Sequence, residues 1–285
     1  MTRTTIPTTM KIEAYAKVNL TLEVYGRRSD GYHALRSVVL PVSFFDTLTV
    51  EDALALSSDS GYPDDLCLKA ARVLEPTRGA SIHVEKHIPA GGGLGGGSAD
   101  AAATLVALND LWGLMKPREE LAEIGAQVGS DVPSLVLGGP VLMEGRGEKV
   151  TRLAGLTGGA HLHVVLVHPG VASSTAEVYA RYEAPAVSGR RSATDAMAAA
   201  LAANDFDGIV AALANDLTAP ATELHPEIAT ALERLKAAGA AGVSMSGSGS
   251  TVFGLVRTAS EADALAAKMQ EAGYAAWAGR SVQNS

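Results

Sequence analysis

Six of the seven residues from Gly91 to Gly97 are glycine, interrupted only by Leu94. Glycine costs conformational entropy in helix and strand alike, so the run suits a place where backbone approaches a ligand closely and turns several N–H groups toward it. It lies between an expected strand at 81–88, closed by Pro89, and an alanine-rich stretch at 98–112 with Leu105, Leu108 and Leu111 at helical spacing. A strand, a loop and a helix in that order put unpaired N–H donors and the positive end of a helix dipole at one spot, which is chemistry for holding phosphate. Ser98 stands at the expected start of the helix, where its hydroxyl can cap the helix or touch a phosphate. The plain alternative is a turn with a helix cap, but a turn needs only one or two glycines.

Other glycine motifs fit less well. Gly91, Gly93 and Gly96 satisfy the spacing of a dinucleotide loop, yet the acidic residue expected about 20 residues further on, closing a second parallel strand, is missing. The sequence has no Gly-Lys dipeptide, which excludes a Walker A loop, and no G-x-S-x-G nucleophile elbow.

Phosphoryl transfer to a hydroxyl also needs positive charge on the transferring group and often a carboxylate beside the acceptor. Asp131, in GSDVP (129–133), is a candidate carboxylate in a loop or short turn, with capping as its plain alternative. Lys17 and Asn19 lie two apart on one face of an expected strand whose other face is apolar. Periodicity alone favours a solvated face for both. SGSGSTVFG (246–254) is a second small-residue turn, equally readable as a hairpin or a ligand contact. His161 and His163 share a strand face without a third ligand at metal spacing, so no metal site is expected. Tyr32 offers an aromatic face for a base, or else packs at the edge of a core, and His33 beside it follows a turn.

The elements around these residues mix strands and helices. From Ile12 to Val24 the even positions are apolar, a strand pattern long enough to require a bend or bulge. A turn at 26–31 leads to apolar stretches at 34–44 and around Leu48 and Val50, and so to an antiparallel sheet. Helices are expected at 64–75, 98–112 and from Pro117 to Val128, with a hairpin at 140–153. A second unit begins near Gly158–Gly159. It holds a strand at 161–167, a helix capped by Ser174 and Glu177, helices at 193–203, 205–214 and 226–238, a strand pair around 246–250, a helix at 260–272 and a last strand at 274–282. The expected class is α+β in two domains, 1–158 and 159–285.

A 285-residue chain with 47% hydrophobic and 19% charged residues is ordinary for a folded protein. A net charge of −8 without a long basic run argues against nucleic-acid or anionic-membrane partners. Cys67, the only cysteine, permits no internal disulfide, and no stretch approaches membrane-span length. A cytoplasmic setting fits, with residues 1–9 as a loose tail.

AKVNL (16–20), DGYH (30–33), PAGGGLGGGSADAAA (89–103), GSDVP (129–133) and SGSGS (246–250) stand in the order and spacing of the GHMP kinases, and this resemblance covers about residues 11 to 280. It implies a ribosomal-protein-S5-like N-terminal domain, a ferredoxin-like C-terminal domain and a site between them. The doubled GGGLGGGS with AK-x-NL and DGYH is similar to the branch that phosphorylates the 2-hydroxyl of a cytidine diphosphate sugar alcohol in the non-mevalonate isoprenoid route.

By this resemblance Asp131 takes the proton of the acceptor hydroxyl, Lys17 orients it and offsets phosphoryl charge, and Asn19 helps fix the substrate. Tyr32, His33 and Tyr179 hold the cytosine ring. ATP lies with its phosphates over Gly91, Gly92, Gly93, Leu94, Gly95, Gly96, Gly97 and Ser98, after Pro89. Lys86, Asp65 and Leu66 lie near adenine, the family often having Asn where Asp65 stands. Mg²⁺ accompanies the ATP. The runner-up is a GHMP kinase for another small alcohol such as homoserine. A non-catalytic sensor on the same fold and a nicotinamide oxidoreductase are the rivals from other classes.

Overall fold

The computed structural model describes residues 9–27, 31–183 and 192–283. Most of the expected tail (1–9) and the centre of the expected turn at 26–31 lie outside those residues. In chain order the first elements are β1 (Thr9–Asn19), β2 (Thr21–Arg27), β3 (His33–Ala53), β4 (Ser57–Ser58), α1 (Leu66–Leu74) and β5 (Gly79–Glu85). Then come α2 (Gly96–Leu111), α3 (Arg118–Gly125), α4 (Val132–Leu137), β6 (Val141–Gly145), β7 (Lys149–Arg152) and β8 (His163–His168). Next are α5 (Thr175–Arg181), α6 (Ala193–Ala202), α7 (Phe206–Ala211), β9 (Ala214–Asn215) and α8 (Thr218–Leu224). The chain closes with α9 (Pro226–Ala237), β10 (Gly242–Met245), β11 (Val252–Val256), α10 (Ala259–Glu271) and β12 (Ala275–Arg280).

Packing divides the chain into two units built from separated stretches. The first takes the residues up to Ala16, Phe45–Ile88 and Gly95–Leu137; the second takes Lys17–Phe44, Pro89–Leu94 and everything from Gly138 onward. This division does not follow one boundary near residue 158, because β3 and the glycine run each pass from one unit to the other.

In the first unit, the later half of β3 pairs antiparallel with β5, which pairs in turn with β4. Along β5, Ala80, Ile82 and Val84 are buried while Ser81, His83 and Glu85 are exposed, the alternation of a strand with one covered face. Helix α2 is buried on almost every side, so its small alanines let α1, α3 and α4 approach it closely. The stretches at 34–44 and 48–50 form one strand rather than two. Asp46, which interrupts the apolar pattern, is fully buried and bonded to neighbouring chain instead of making a turn. Helix α4 was not anticipated, since Pro133 reads as a breaker; it falls in the first turn, where no helical N–H is lost.

In the second unit, β10, β11, β8 and β12 form an antiparallel sheet in that order. Its centre, β8, carries Val164, Val165, Leu166 and Val167, all buried, and α9 and α10 pack on the sheet. This is the ferredoxin-like arrangement. Helix α10 has a complete capping box between Thr258 and Glu261, and Pro226 opens α9. The expected helix-and-sheet elements from 193 to 282 are all present, with β9 and α8 in addition. The early half of β3 pairs with β2 and β6, and β6 turns back into β7 as the expected hairpin. The anticipated bend in the first strand is the break at Leu20 that separates β1 from β2.

Candidate active site

The glycine run is anchored through its carbonyls. In the second unit, Ser173 N donates to Gly91 O (3.2 Å), Thr251 N to Gly92 O (3.0 Å) and Lys17 N to Leu94 O (3.0 Å). Gly93 O accepts from two side chains, Lys17 Nζ at 2.8 Å and Ser246 Oγ at 2.9 Å. Among the described residues, nothing accepts from the amides of Gly91 through Ser98. Gly91, Gly93 and Gly95 have φ of +67°, +74° and +71°, the left-handed region that glycine enters at no steric cost.

Gly93 has a second reason to be glycine. A Cβ there would stand 2.2 Å from Ser246 O and 2.8 Å from Gly249 O. The two glycine-rich segments pack backbone against backbone, so SGSGS is both the β10–β11 turn and the support of the first loop.

Helix α2 begins two residues before the expected start. Gly95 is its N-cap, left-handed and without a side-chain cap bond, because a glycine there adopts the required φ at no steric cost. Ser98 is therefore inside the first turn and does not cap. Its half-buried hydroxyl has no partner among the described residues.

Lys86, Leu66 and Asp65 fall around this helix start in the first unit. Lys86 Nζ lies close to Gly96 and donates to Asp46 Oδ2 (2.5 Å) and Asp100 Oδ2 (2.6 Å). Burial pushes Asp100 up to about 7 despite the ammonium beside it, and its buried Oδ1 has no partner among the described residues. For Lys86, burial acts to lower the pKa and the two carboxylates outweigh it, so it stays protonated. Leu66 lies beside Gly97. Asp65 is the N-cap of α1, accepting from Cys67 N and Leu68 N and from Ser60 Oγ. Nothing in the sequence singled out Asp46 or Asp100; two acids around one lysine become a group only through folding.

Asp131 directly precedes α4 and is half-buried; its carbonyl oxygen accepts from Ser134 Oγ (2.7 Å) and Leu135 N (3.4 Å). In the second unit Lys17 and Asn19 are 4% and 5% exposed, which overturns the solvated face that periodicity favoured. Lys17 Nζ donates to Asn19 Oδ1 at 2.7 Å, in addition to Gly93 O. A lysine is buried only where its charge is engaged, so both faces of this strand are packed.

His33 and Tyr179 stack with ring centroids 5.5 Å apart and an interplanar angle of 30°. Burial, then the charge of Arg27, lower the His33 pKa, which favours a neutral ring with one donor and one acceptor. Tyr182, which sequence reasoning passed over, lies edge-on to His33 at 6.0 Å and donates its hydroxyl to Val24 O. Its spacing of three from Tyr179 on a helical stretch was the available signal. Tyr32 is exposed, with the Arg146 guanidinium 5.5 Å over its ring. No group of three metal-ligating side chains occurs among the described residues, and no described helix is long and apolar enough to cross a membrane.

Amides without an acceptor among the described residues, at a helix start, are chemistry for binding an anion. Comparison with known proteins gives the class. Residues 65–139 match the GHMP kinases N terminal domain and residues 197–275 the GHMP kinases C terminal domain. The chain belongs to the GHMP kinase family and is a small-molecule kinase with ATP as phosphoryl donor. It is 41% identical over 284 residues to the 4-diphosphocytidyl-2-C-methyl-D-erythritol kinase of Symbiobacterium thermophilum, covering 96% of this chain and 100% of the relative. The enzyme of the same name from Bacillus cytotoxicus is 41% identical over 257 residues, covering 86% of this chain and 87% of the relative. A crystal structure of 4-(cytidine 5′-diphospho)-2C-methyl-D-erythritol kinase superposes with a TM-score of 0.83 at 35% identity, covering 96% of this chain and 100% of that one. A homoserine kinase structure from Cytophaga hutchinsonii, at 19% identity and a TM-score of 0.76, shares the fold.

Proposed function

We propose that this chain transfers the γ-phosphoryl group of ATP to the 2-hydroxyl of 4-diphosphocytidyl-2-C-methyl-D-erythritol, a step in making isoprenoid precursors. The observation that carries the acceptor is the end-to-end similarity to relatives of that name, and the loop geometry supports the donor. Homoserine kinase resembles the chain at the level of fold alone.

The phosphates of ATP lie over residues 91–98, bound by the amides that have no acceptor of their own, with the dipole of α2 adding to the attraction. Lys86 and Leu66 border the adenine side. Asp65, already spent on capping α1, contributes through the shape of that helix start. Asp131 accepts the proton of the acceptor hydroxyl, and Lys17 offsets charge on the transferred group, with Asn19 fixing substrate and lysine together. Mg²⁺ neutralises phosphate charge when bound. The free Ser98 hydroxyl fits it as a single oxygen ligand, since Mg²⁺ in kinases draws most ligands from phosphate and water. The stacked pair of His33 and Tyr179, with Tyr182 edge-on and Tyr32 nearby in sequence, suits a cytosine ring. Residues 1–158 supply the nucleotide loop and the base, and residues 159–285 supply Tyr179 and Tyr182. The setting is cytoplasmic, in keeping with a single, buried thiol.

The test is ADP release measured across candidate alcohols, with the cytidine-bearing substrate among them. Release stimulated by that substrate and not by homoserine or mevalonate is expected. No stimulation sinks the acceptor, and stimulation by another alcohol reassigns it. As a second arm, His33→Ala and Tyr179→Ala raise KM for the cytidine substrate about tenfold, by loss of stacking on the base, and leave KM for ATP unchanged. A lowered melting temperature with both KM values raised would return the rings to a packing role.

A further inference from the structure

Behind Lys17 in the second unit runs a chain of buried hydrogen bonds with a fixed direction. Lys17 Nζ donates to Asn19 Oδ1 (2.7 Å), Asn19 Nδ2 donates to Ser37 Oγ (2.8 Å), and Ser37 Oγ donates to the carbonyl oxygen of Thr21 (2.6 Å). None of the four residues is more than 5% exposed. The two ends of the chain settle its direction. A lysine ammonium only donates and a backbone carbonyl only accepts, so every bond between them points the same way.

We propose that Ser37 is a positioning residue for phosphoryl transfer, setting the orientation of the Asn19 amide and through it the placement of the Lys17 ammonium. The serine has one proton, and it goes to Thr21 O; toward Asn19 it can only accept. Asn19 must therefore turn its NH₂ to Ser37 and its oxygen to Lys17. Without the serine oxygen the Asn19 NH₂ loses its buried acceptor, and only the ammonium is left to hold the amide in place. The anchor is itself held. Thr21 Oγ1 accepts from Val38 N (3.0 Å) and shares a hydrogen bond with Thr194 Oγ1 (3.0 Å). Ser37 sits on β3 opposite Met143 of β6, between paired strands, so its Cα cannot drift. The second acceptor of Lys17, Gly93 O, belongs to the nucleotide loop. A lysine displaced at Asn19 is displaced relative to the phosphates.

This inference rests on the reading of Lys17 as the cation of the transfer, and the experiment separates the two. Ser37→Ala is expected to lower kcat about tenfold to a hundredfold, as small displacements of a reacting group do, with KM for ATP little changed and the melting temperature lowered by a few degrees because Asn19 Nδ2 and Thr21 O lose a buried partner. Ser37→Thr, which keeps the hydroxyl, should restore most of kcat. Lys17→Met should cost at least as much as Ser37→Ala. A large loss in Lys17→Met beside wild-type kcat in Ser37→Ala overturns the role of Ser37 and leaves the reading of Lys17 standing. Wild-type kcat in Lys17→Met overturns that reading itself. If Ser37→Ala does not fold, the wild-type enzyme still decides. In ¹⁵N-asparagine-labelled protein, with Asn19→Ala identifying the resonance, the Asn19 side-chain amide should exchange slowly with water. Exchange as fast as that of an exposed asparagine overturns the proposal.

Discussion

Helices α2 and α6 are both rich in alanine, yet their first turns are finished differently. At α6 the fold supplies its own anion. Ser192 is the N-cap, and the Glu23 carboxylate accepts from Ala193 N (3.0 Å), Thr194 N (3.4 Å) and Ser192 Oγ (2.7 Å). At α2 the cap is a glycine without a side-chain bond, and the amides of the first turn have no acceptor among the described residues. Each unsatisfied donor forgoes a bond that α6 makes. The start of α6 is filled by a carboxylate, and the start of α2 is left open, as the proposed binding of phosphate there requires.

A third helix start gives the largest effect by which this contrast can be broken. Asp131 stands at the head of α4, where an acid spent on capping would resemble Glu23. If it is instead the base of the transfer, Asp131→Asn lowers kcat and kcat/KM together by about 10²–10⁴-fold while substrate binding persists. Steady-state kinetics at saturating ATP is the check, and near wild-type kcat would make Asp131 a cap.

The open start of α2 depends on Gly95 being left-handed. Gly95→Val puts a branched side chain at φ +71° and is expected to weaken ATP binding about tenfold or more, since the left-handed region costs a side chain on the order of 1–2 kcal/mol. Titration calorimetry with ATP measures it. An unchanged affinity in a folded variant would mean that the loop is only a turn.

Filling α2 as α6 is filled should convert one kind of helix start into the other. Ser98→Asp places a carboxylate in the first turn, which favours the helix by about 0.3–1 kcal/mol and opposes phosphate. The melting temperature should rise by up to about 3 °C while KM for ATP rises several-fold. If stability and ATP affinity moved in the same direction, the trade between filling and binding would be refuted.

The smallest effect is the converse at α6. Glu23→Gln should cost about 1 kcal/mol of stability at neutral pH and leave KM for ATP alone. Burial acts to raise the Glu23 pKa, but the hydrogen bonds from Thr194, Ser192 and Ala193 outweigh it and hold it below the ordinary carboxylate value of 4.5. An acid held low stabilises the fold above its unfolded pKa and loses that contribution as pH falls through the folded one. The stability gap between wild type and Glu23→Gln should therefore close as pH drops below 4.5, as followed by denaturant titration at each pH. A gap that persisted in acid would assign it to packing rather than charge.

Much of this architecture could be read from local chemistry. The strand–glycine–helix succession, the Ser174 cap of α5, the hairpin at β6–β7 and the sheet with helices from 193 onward depend on neighbours within a few residues, whose propensities act at that range. Two helices that were not expected, α4 and α8, carry Pro133 and Pro220 in their first turns, where position within the element decides what proline costs. Asp46 hid the continuity of β3 for a related reason. A buried acid in a strand reads as a turn until its partner, Lys86, is known to be forty residues away.

The composition of the glycine run was likewise legible in the chain alone, because six glycines in seven residues, so costly in entropy, have few other uses. Which way that loop faces was a tertiary matter. Its carbonyls are held by Lys17, Ser173, Ser246 and Thr251, residues separated from it by scores of positions, while its amides have no acceptor among the described residues. Lys17 shows the same division. Alternation along the strand assigned it correctly to the face opposite the apolar residues. That this second face is also buried, with Asn19, Ser37 and Thr21 lined up behind the ammonium, follows from strands and helices packed on both sides, and periodicity within one strand carries no information about what covers it.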